Sequence, residues 1–232
     1  PVVGALRYGQ GHINDTFVVH TQPEDRCCRR FILQRMSAAA FKHPDELMEN
    51  IIGVTEYLGR EIEAHGGDRD REAMRVLRPR NGEPFFTDSA GGAWRIYPFV
   101  ERTVCYQTAE TPELFAASGR AFGRFQRLLG GYPAQTLHET IPNFHNTEDR
   151  LAKFKAAVEA DKLGRVKDCQ PEIDFVLARE KDCSAALNAM REGRLPVRVT
   201  HNDTKLNNVL MDEVTGEGIC IIDLDTVMPG LV

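Results

Sequence analysis

The sequence predicts an α+β protein with two lobes, a small antiparallel sheet with one helix followed by a mainly helical lobe. Strand-like runs separated by turn residues fill the chain up to about residue 101, and helical periodicity dominates from about residue 111 to 192. The 232 residues are 42% hydrophobic and 27% charged, as expected of an ordinary globular chain. We therefore assign an N-terminal lobe to residues 1–101, with a hinge at 97–101, and a C-terminal lobe to residues 102–232.

The N-terminal lobe is predicted from five short runs, each bounded by turn residues: 2–8, 16–19, 30–34, 83–88 and 93–100. Between the third and fourth runs, Pro44 is expected to open a helix, because apolar residues recur after it every three or four positions. Gly66 and Gly67 are expected to end this helix. Its apolar face comprises Leu47, Ile51, Val54, Leu58 and Ile62.

The C-terminal lobe is predicted from helix start signals. Thr111 is the expected N-cap of a helix that begins at Pro112. Thr147 is the expected cap of a second helix, and Pro171 opens a third that continues to Gly193. Short strands are then expected at residues 196–200, 208–211 and 219–222.

Charge and composition exclude several classes of partner. The 29 basic and 34 acidic residues give a formal net charge of −5, without the basic excess expected of a nucleic-acid binder. No run approaches the roughly 18 apolar residues of a membrane helix, and no signal-peptide pattern opens the chain, so we expect no membrane partner and a cytoplasmic location. The six cysteines contain no Cys-x-x-Cys pair, which favours reduced structural thiols over a zinc site.

A group of oxygen ligands is predicted near the end of the chain. A hairpin that turns at Thr215 and Gly216 would place Asn208 opposite Asp223, with Cβ atoms about 5 Å apart. Asp203 lies on the loop that enters the same hairpin. Carboxylate and amide oxygens suit Mg²⁺. Phosphoryl transfer needs metal ions, a carboxylate that accepts the hydroxyl proton and a cover over the phosphates, so the sequence predicts a phosphoryl-transfer site.

The catalytic pattern resembles a known superfamily. His201-x-Asp203-x-x-x-x-Asn208, followed by a hydrophobic strand that ends in Asp223, resembles the catalytic segment of the aminoglycoside phosphotransferase and choline kinase superfamily, which shares the bilobal protein-kinase-like fold. Within it, the chain is similar to bacterial N-acetylhexosamine 1-kinases. That similarity lies in YGQGHINDT at 8–16, AFGRFQ at 121–126, KLNN at 205–208 and IDLDT at 222–226.

The resemblance implies roles for the catalytic segment. Asp203 would be the catalytic base or would orient the acceptor hydroxyl, and Lys205 would lie near the transferred phosphoryl group. Asn208, Asp223 and Asp225 would bind Mg²⁺, with a substrate contact as the alternative for Asp225. His201, outside these roles, is expected to hold the loop rather than to transfer protons.

The resemblance also implies nucleotide and acceptor contacts. The loop from Gly9 to Asn14, which includes Gln10 and Gly11, would cover the ATP phosphates with backbone N–H groups. The hinge of Tyr97, Pro98, Phe99 and Val100 would bind adenine through its backbone. The acceptor contacts implied are His12, Asn143, His145 and Asp203.

Some features depart from the general kinase pattern. The third strand has Gln34 and Arg35 where a phosphate-binding lysine is usual, and Arg35 paired with Glu49 is the candidate substitute. Asp225 stands where protein kinases commonly have glycine. Members of the superfamily continue with further helices after this aspartate, so we expect the sequence to be a fragment.

These observations predict an ATP- and Mg²⁺-dependent kinase that phosphorylates the anomeric hydroxyl of N-acetylglucosamine or N-acetylgalactosamine. Another small alcohol is the alternative, such as homoserine, choline, ethanolamine or an aminoglycoside. Two other classes stay open: a metal-dependent glycosyltransferase, which Asp223-x-Asp225 would suit, and a catalytically inactive nucleotide-binding module. Hairpins ahead of the carboxylates disfavour the glycosyltransferase. The presence of Asp203, Asn208 and Asp223 disfavours the inactive module.

Overall fold

The N-terminal region is a five-stranded antiparallel sheet. The computed structural model describes residues 1–9, 11, 13–22 and 30–231. The sheet order is β1-β2-β3-β5-β4. The strands are β1 (Val2–Arg7), β2 (Asp15–Thr21), β3 (Arg30–Arg35), β4 (Phe86–Thr87) and β5 (Ala93–Pro98). All five predicted runs therefore contain a strand, and the fourth strand is shorter than predicted.

The helix predicted after Pro44 forms as α1 (Pro44–Ala64). Its apolar residues Leu47, Ile51, Val54 and Ile62 are fully buried, because they recur on one face of the helix. Acidic side chains occupy the first turn, where the helix dipole favours negative charge. A short helix, α2 (Arg69–Glu72), follows.

The helical part differs from prediction at two places. Thr111 caps the next helix as expected, since its Oγ1 accepts the N–H of Leu114 at 3.3 Å. Asn146, not Thr147, caps the following one, because its amide oxygen accepts the N–H of Asp149 at 3.1 Å. The predicted third helix is interrupted at 180–184, where the Cys183 carbonyl bonds the Thr147 hydroxyl. These helices are α3 (Pro112–Leu128), α4 (Thr147–Ala160), α5 (Gln170–Leu177) and α6 (Ala185–Arg191). None of the helices in the described ranges is both long and apolar enough to span a membrane.

Two small antiparallel sheets position the end of the chain. Their strands are β6 (Thr103–Val104), β7 (Arg198–Thr200), β8 (Val209–Asp212), β9 (Gly218–Ile221) and β10 (Met228–Gly230). One sheet has the order β6-β8-β9, and the other pairs β7 with β10. Residues 201–208 and 222–227 therefore both run between the same two sheets, so these two connecting loops lie side by side.

The register of the β8–β9 hairpin differs from the prediction by one residue. The N–H of Ile222 donates to the carbonyl of Asn208 at 2.9 Å, so Asn208 lies opposite Ile222 rather than Asp223. The pairing also shifts along the hairpin, because β9 has one extra residue between the pairs Leu210–Cys220 and Met211–Gly218. The Asp212 carboxylate also accepts two backbone N–H groups of the turn, at 3.0 and 2.9 Å. The turn is thereby larger than the two residues assumed.

One hydrophobic core runs through both predicted lobes. Leu47 and Ile51 of α1 belong to the same buried cluster as Phe125 of α3 and Val209 of β8. The first long helix therefore packs with the elements that carry the catalytic loops, and not only with the sheet that precedes it.

Candidate active site

A buried histidine joins the two connecting loops. His201 Nδ1 accepts the N–H of Asp203 at 3.2 Å, and Nε2 lies 3.0 Å from the Ile222 carbonyl oxygen. Burial lowers the pKa of His201, so the ring is neutral and its Nε2–H donates to Ile222. The rings of Phe122 and Phe125 pack edge-on against it, with centroids 5.4 and 6.0 Å away. The structure therefore gives His201 the loop-holding position expected from the sequence.

A second group of contacts ties the same loops together. Asn202 has a left-handed backbone, with φ of +64°, and its amide donates to the carbonyls of Thr200 and Thr226 at 3.1 and 2.9 Å. The Thr226 hydroxyl donates to the His201 carbonyl at 2.6 Å. Both loops are thus held by side chains that bond backbone groups of the opposite loop.

Asp203 lies on the first loop between two side chains predicted to act with it. Its Oδ2 accepts from Asn208 Nδ2 at 3.1 Å and lies 2.8 Å from Lys205 Nζ. Asn208 Nδ2 also donates to the Asp203 backbone carbonyl at 2.8 Å. Within the described ranges, Oδ1 of Asp203 has no hydrogen-bond partner. One carboxylate oxygen is therefore held in place while the other is left for a further group.

Asp223 opens the second loop with a left-handed backbone, at φ of +61°. Its carboxylate is half-buried and makes no hydrogen bond or ion pair with the residues that the structure describes. Burial, followed by the nearby Asp225 carboxylate, raises the pKa of Asp223 to about 6. A partly desolvated carboxylate without a paired cation is stabilised when a metal ion binds it.

The arrangement fits a Mg²⁺ site formed by Asn208 and Asp223. Because the Asn208 amide nitrogen is bonded to Asp203, its Oδ1 points the other way and has no partner among the described residues. No group of three or more His, Cys, Asp or Glu suited to a metal occurs in that part of the chain. Two protein oxygens suffice for Mg²⁺, which commonly keeps several waters and binds substrate phosphates.

Asp225, the third predicted metal ligand, is engaged by the N-terminal sheet. Its Oδ1 lies 2.5 Å from Nη1 of Arg95 on β5, and its Oδ2 accepts from Asn14 Nδ2 at 2.5 Å. All three side chains are buried. Burial opposes the charge of Arg95, but Asp225 raises the pKa of the guanidinium, which stays protonated. Both oxygens of Asp225 therefore have protein partners.

Gln34 lies at the position in β3 where a phosphate-binding lysine is expected from the kinase pattern and is absent. It lies opposite Thr16 and Arg95 on the neighbouring strands, so all three share the sheet face that contacts Asp225. Gln34 Oε1 accepts from Arg95 Nε at 3.0 Å, and Gln34 Nε2 donates to Thr16 Oγ1 at 3.0 Å. The positive charge beside Asp225 is thus supplied by Arg95 of β5, while Gln34 of β3 contributes a neutral amide.

The ion pair expected between Arg35 and Glu49 does not form. Arg35 is exposed beside Asp88, on the sheet face opposite Gln34 because successive side chains of a strand alternate. Glu49 instead pairs with His138, with Nε2 and Oε2 2.7 Å apart. Arg35 is therefore not brought together with the other predicted site residues.

The predicted hinge follows β5, where the N–H of Phe99 donates to the Arg30 carbonyl at 3.1 Å. Tyr97, two residues earlier, pairs with β3 through the same edge. Since successive residues direct their backbone groups to opposite edges, the carbonyl of Pro98 and the N–H of Val100 point away from β3. The N–H of Phe99 is thus engaged with β3, and the carbonyl of Pro98, also in the predicted hinge, faces the other edge.

The predicted phosphate loop is described only in part. Gly9 has φ of +78°, a conformation that glycine adopts without strain, and Gly11 is exposed. Gln10 and His12, expected to contact ATP and the acceptor, lie outside the described residues.

The two remaining acceptor candidates lie in a loop beside the catalytic loop. Asn143 and His145 both have left-handed backbones, with φ of +58° and +61°. His145 Nε2 lies 2.7 Å from the carbonyl oxygen of Asn202, the residue before Asp203. Asn143 Oδ1 accepts from Asn146 at 3.2 Å. The structure thus brings His145 to the catalytic loop, whereas the Asn143 side chain is used within its own loop.

Arg95 was not predicted from the sequence, and no contact with Asp225 was predicted for Asn14. A signal for Arg95 exists, because it is the one charged residue in the otherwise apolar run from Ala93 to Tyr97, and a buried charge requires a partner. Asn14 carried no such signal beyond its place at the end of the glycine-containing loop.

The sheet, the helical part and the paired loops together define a kinase-like phosphotransferase, and the predicted fold class is confirmed. The chain belongs to the phosphotransferase enzyme family, whose model matches residues 4–232. It is an enzyme that transfers a phosphoryl group to hydroxyl groups of small molecules. The glycosyltransferase alternative is therefore wrong, and the antiparallel sheet explains why, since it lacks the parallel strands of a Rossmann-like domain.

Solved structures share this fold. An aminoglycoside phosphotransferase in complex with GDP and kanamycin has a TM-score of 0.62 at 13% identity, covering 98% of this chain and 69% of that one. A spectinomycin phosphotransferase with ADP and spectinomycin has a TM-score of 0.56 at 14% identity, covering 98% and 65%. An amicoumacin kinase with AMP-PNP and Ca²⁺ has a TM-score of 0.55 at 16% identity, covering 98% and 60%. At these identities they establish the fold alone.

Proposed function

We propose that this phosphotransferase is an ATP- and Mg²⁺-dependent kinase that phosphorylates the anomeric hydroxyl of N-acetylglucosamine or N-acetylgalactosamine. The observation that carries the proposal is the environment of Asp203. Its Oδ2 is held by Lys205 and Asn208, and its Oδ1 has no partner among the described residues. A carboxylate fixed through one oxygen offers the other to an acceptor hydroxyl in a defined orientation.

The proposed reaction is a direct transfer. The acceptor oxygen bonds to the γ-phosphorus of ATP while the bond from that phosphorus to the bridging oxygen breaks, and ADP leaves. The hydroxyl proton passes to Oδ1 of Asp203. An anomeric hydroxyl is more acidic than an ordinary alcohol, so a carboxylate is an adequate acceptor. Lys205, 2.8 Å from Oδ2, would place positive charge near the transferred group.

Asn208 and Asp223 are the proposed Mg²⁺ ligands. Support comes from the partner-free Oδ1 of Asn208 and the half-buried carboxylate of Asp223, as described above. Bound Mg²⁺ would neutralise charge on the phosphate oxygens. The chain itself orients the amide through Asp203 and holds the acidic turn through His201.

The nucleotide would lie against the sheet face that carries Gln34 and Arg95. The backbone of Gly9 and Gly11 would meet its phosphates, as the backbone of a glycine-containing loop does in other nucleotide sites. Adenine offers an amino donor next to a ring acceptor. These match the carbonyl of Pro98 and the N–H of Val100.

The choice of acceptor rests on the similarity of residues 8–16, 121–126, 205–208 and 222–226 to N-acetylhexosamine 1-kinases. His145 supports a polyhydroxylated acceptor, because its ring lies beside the loop that carries Asp203 and an imidazole can hydrogen-bond a sugar hydroxyl. Asn143 belongs to the same loop. His12 is proposed as a further acceptor contact.

An aminoglycoside-type antibiotic is the second candidate acceptor. Kanamycin and spectinomycin are bound in solved structures that share the fold over 98% of this chain. These ligands are also amino-substituted rings with several hydroxyl groups.

The test is ³¹P NMR of the chain with Mg·ATP and, in separate tubes, N-acetylglucosamine, N-acetylgalactosamine, kanamycin, homoserine and choline. The proposal expects an anomeric phosphate signal from at least one N-acetylhexosamine. A phosphate on any other acceptor alone would overturn the choice of sugar and keep the reaction class. ATP binding without a product in any tube would place the acceptor outside this set and overturn the choice of sugar.

The first substitution to make is Asp203→Asn, which preserves shape and removes the proton acceptor. We expect kcat to fall about 10³-fold with ATP affinity nearly unchanged, since the base acts on the acceptor. Glu110→Gln, a change at an exposed carboxylate, is the matched control and should retain wild-type turnover. Retained turnover in Asp203→Asn would remove Asp203 from its proposed role.

A further inference from the structure

We propose that Asp225 is a positioning residue that couples the N-terminal sheet to the catalytic loops, and that it does not bind the metal. The proposal rests on the proposed phosphoryl transfer at this site, because the coupling is between the surface that would hold the nucleotide and the loops that would hold the metal and the base. The resemblance implied metal binding by Asp225, so the inference reverses a role expected from the sequence.

Asp225 belongs to a short turn whose neighbours each bind a different part of the site. Residues 224–226 form a single 3₁₀ turn that starts from Asp223. Thr226 bonds the catalytic loop through the His201 carbonyl and the Asn202 amide, at 2.6 and 2.9 Å. Within four residues of chain, Asp223 is therefore placed for the metal, Asp225 for the sheet and Thr226 for the catalytic loop.

The partners of Asp225 belong to two separate parts of the sheet region. Arg95 is in β5, and Asn14 immediately precedes β2, where the glycine-containing loop ends. Asn14 Oδ1 also accepts the N–H of Ser37 at 3.0 Å, just beyond β3. Through Gln34, Arg95 is further tied to Thr16. One carboxylate thus holds the end of the loop and the centre of the sheet.

The charges around Asp225 argue against a metal ligand. The side chains of Arg95 and Asp225 are 2% and 5% exposed, so each charge is neutralised by the other. A cation that bound Asp225 would have to displace Arg95 or Asn14 and leave a buried polar group without a partner. Asp223, two residues earlier, has neither obstacle, because no described residue pairs with its carboxylate.

The coupling between Arg95 and Asp225 can be measured without an activity assay. The measurement is urea unfolding of the two single variants and the double variant. Arg95→Met and Asp225→Leu alone should each lower the unfolding midpoint strongly, since each leaves an unpaired buried charge. The double variant should recover most of the loss. Losses that simply add in the double variant would overturn the pairing. This result is independent of whether any acceptor is phosphorylated, so it distinguishes failure of the coupling from failure of the proposed function.

The effect of this coupling on catalysis is tested with Asn14→Ala and with the folded double variant Arg95→Met/Asp225→Leu. We expect kcat to fall at least tenfold in both, because the sheet and its loop are no longer held over Asp203. The Mg²⁺ concentration that gives half-maximal ATP binding, measured by calorimetry, should stay within threefold of wild type. A rise above tenfold in the variant that lacks the Asp225 carboxylate would restore Asp225 as a metal ligand.

The matched control is Asp15→Asn, next to Asn14 in the chain. Asp15 forms an ion pair with Arg7 at 3.0 Å, with side chains 44% and 66% exposed, so it tests a charge on the same strand that does not reach the catalytic loops. Its kcat should remain within twofold of wild type. Equal losses of kcat in Asp15→Asn and Asn14→Ala would contradict a specific role for the Asp225 contacts.

Discussion

Asp223 combines a half-buried carboxylate with a left-handed backbone. At pH 8 the metal-free carboxylate is ionised and lacks a described protein partner, which is unfavourable in the folded state. Asn tolerates the left-handed conformation and carries no charge. We therefore expect Asp223→Asn to raise the free energy of unfolding in EDTA by roughly 1 kcal/mol at pH 8, a value reduced for partial exposure.

The same variant should lose the thermal stabilisation that Mg·ATP gives the wild type, because a proposed metal ligand is gone. Urea unfolding in EDTA and thermal melting with Mg·ATP measure the two effects, and Glu110→Gln provides the reference. A less stable metal-free Asp223→Asn variant would show that the carboxylate has a stabilising protein contact.

His201 should make stability depend on pH. Its folded-state pKa lies below the unfolded value of about 6.5, so the unfolded chain takes up the proton first as the pH falls. The contribution of His201 is complete above about pH 6.5 and is lost as the pH falls through that value.

His201→Gln keeps a donor near Nε2 and removes the titration. Between pH 7 and 5, its unfolding free energy should fall less steeply than that of the wild type. Urea unfolding at a series of pH values measures this, and the difference between the two curves isolates His201 from the other histidines. Parallel curves would mean that His201 has the same pKa in the folded and the unfolded state.

At the level of the elements, α1 is fixed to the C-terminal part of the chain by one buried side chain. Asn50 Nδ2 donates to the carbonyls of His138 and Val227 at 2.8 and 3.0 Å, and its Oδ1 accepts the N–H of His138 at 2.8 Å. Asn50→Leu keeps the approximate volume and leaves three backbone groups without partners. We expect a loss of about 2–4 kcal/mol in the free energy of unfolding.

Glu49→Gln is the matched control for Asn50→Leu. Glu49 is the adjacent residue of α1 and pairs with the His138 side chain at the surface, so its loss should cost less than about 0.5 kcal/mol. Denaturant unfolding of both variants gives the comparison. Similar losses in both would assign the stabilisation to the surface pair instead of the buried amide.

Elements with a strong local signal were predictable, and those set by distant contacts were not. The period of the apolar residues after Pro44 gives α1 from sequence alone, and Thr111 with Pro112 marks the start of α3. The β8–β9 register was predicted one residue away, because the turn stabilised by the Asp212 carboxylate is larger than assumed and β9 contains a bulge. Neither feature has a periodic signature in the sequence.

The residues of the candidate site likewise fall into those with a local sequence signal and those set by distant contacts. The pattern of Asp203, Lys205 and Asn208 is local, and the structure brings these three side chains together. Arg95 and Asp225 are 130 residues apart in the chain, so no spacing rule could relate them. The expected pair of Arg35 and Glu49 failed because strand alternation puts Arg35 on the other face of the sheet.

For the molecule as a whole, the two predicted lobes are joined by more than a hinge. The buried cluster extends from α1 to α3 and β8, and buried polar contacts cross the proposed boundary, at Asn50 with Val227 and at Arg95 and Asn14 with Asp225. Elements that share one core lose their packing together when that core opens. The position of the sheet over the catalytic loops is therefore a property of the whole fold, and not of the hinge alone.

The single tryptophan makes this cooperativity measurable. Trp94 lies in β5, half-buried, and its Nε1 donates to Asp88 at 2.7 Å, so its fluorescence reports on the sheet. Circular dichroism at 222 nm reports mainly on the helices, most of which follow the predicted boundary. We expect both probes to give the same urea midpoint, and to shift together in the Arg95→Met variant, because the sheet and the helices share the core. A fluorescence transition at clearly lower urea than the helical transition would mean that the sheet unfolds as a separate unit, and that the contacts of Asn50 and Asp225 are too weak to couple it to the catalytic loops.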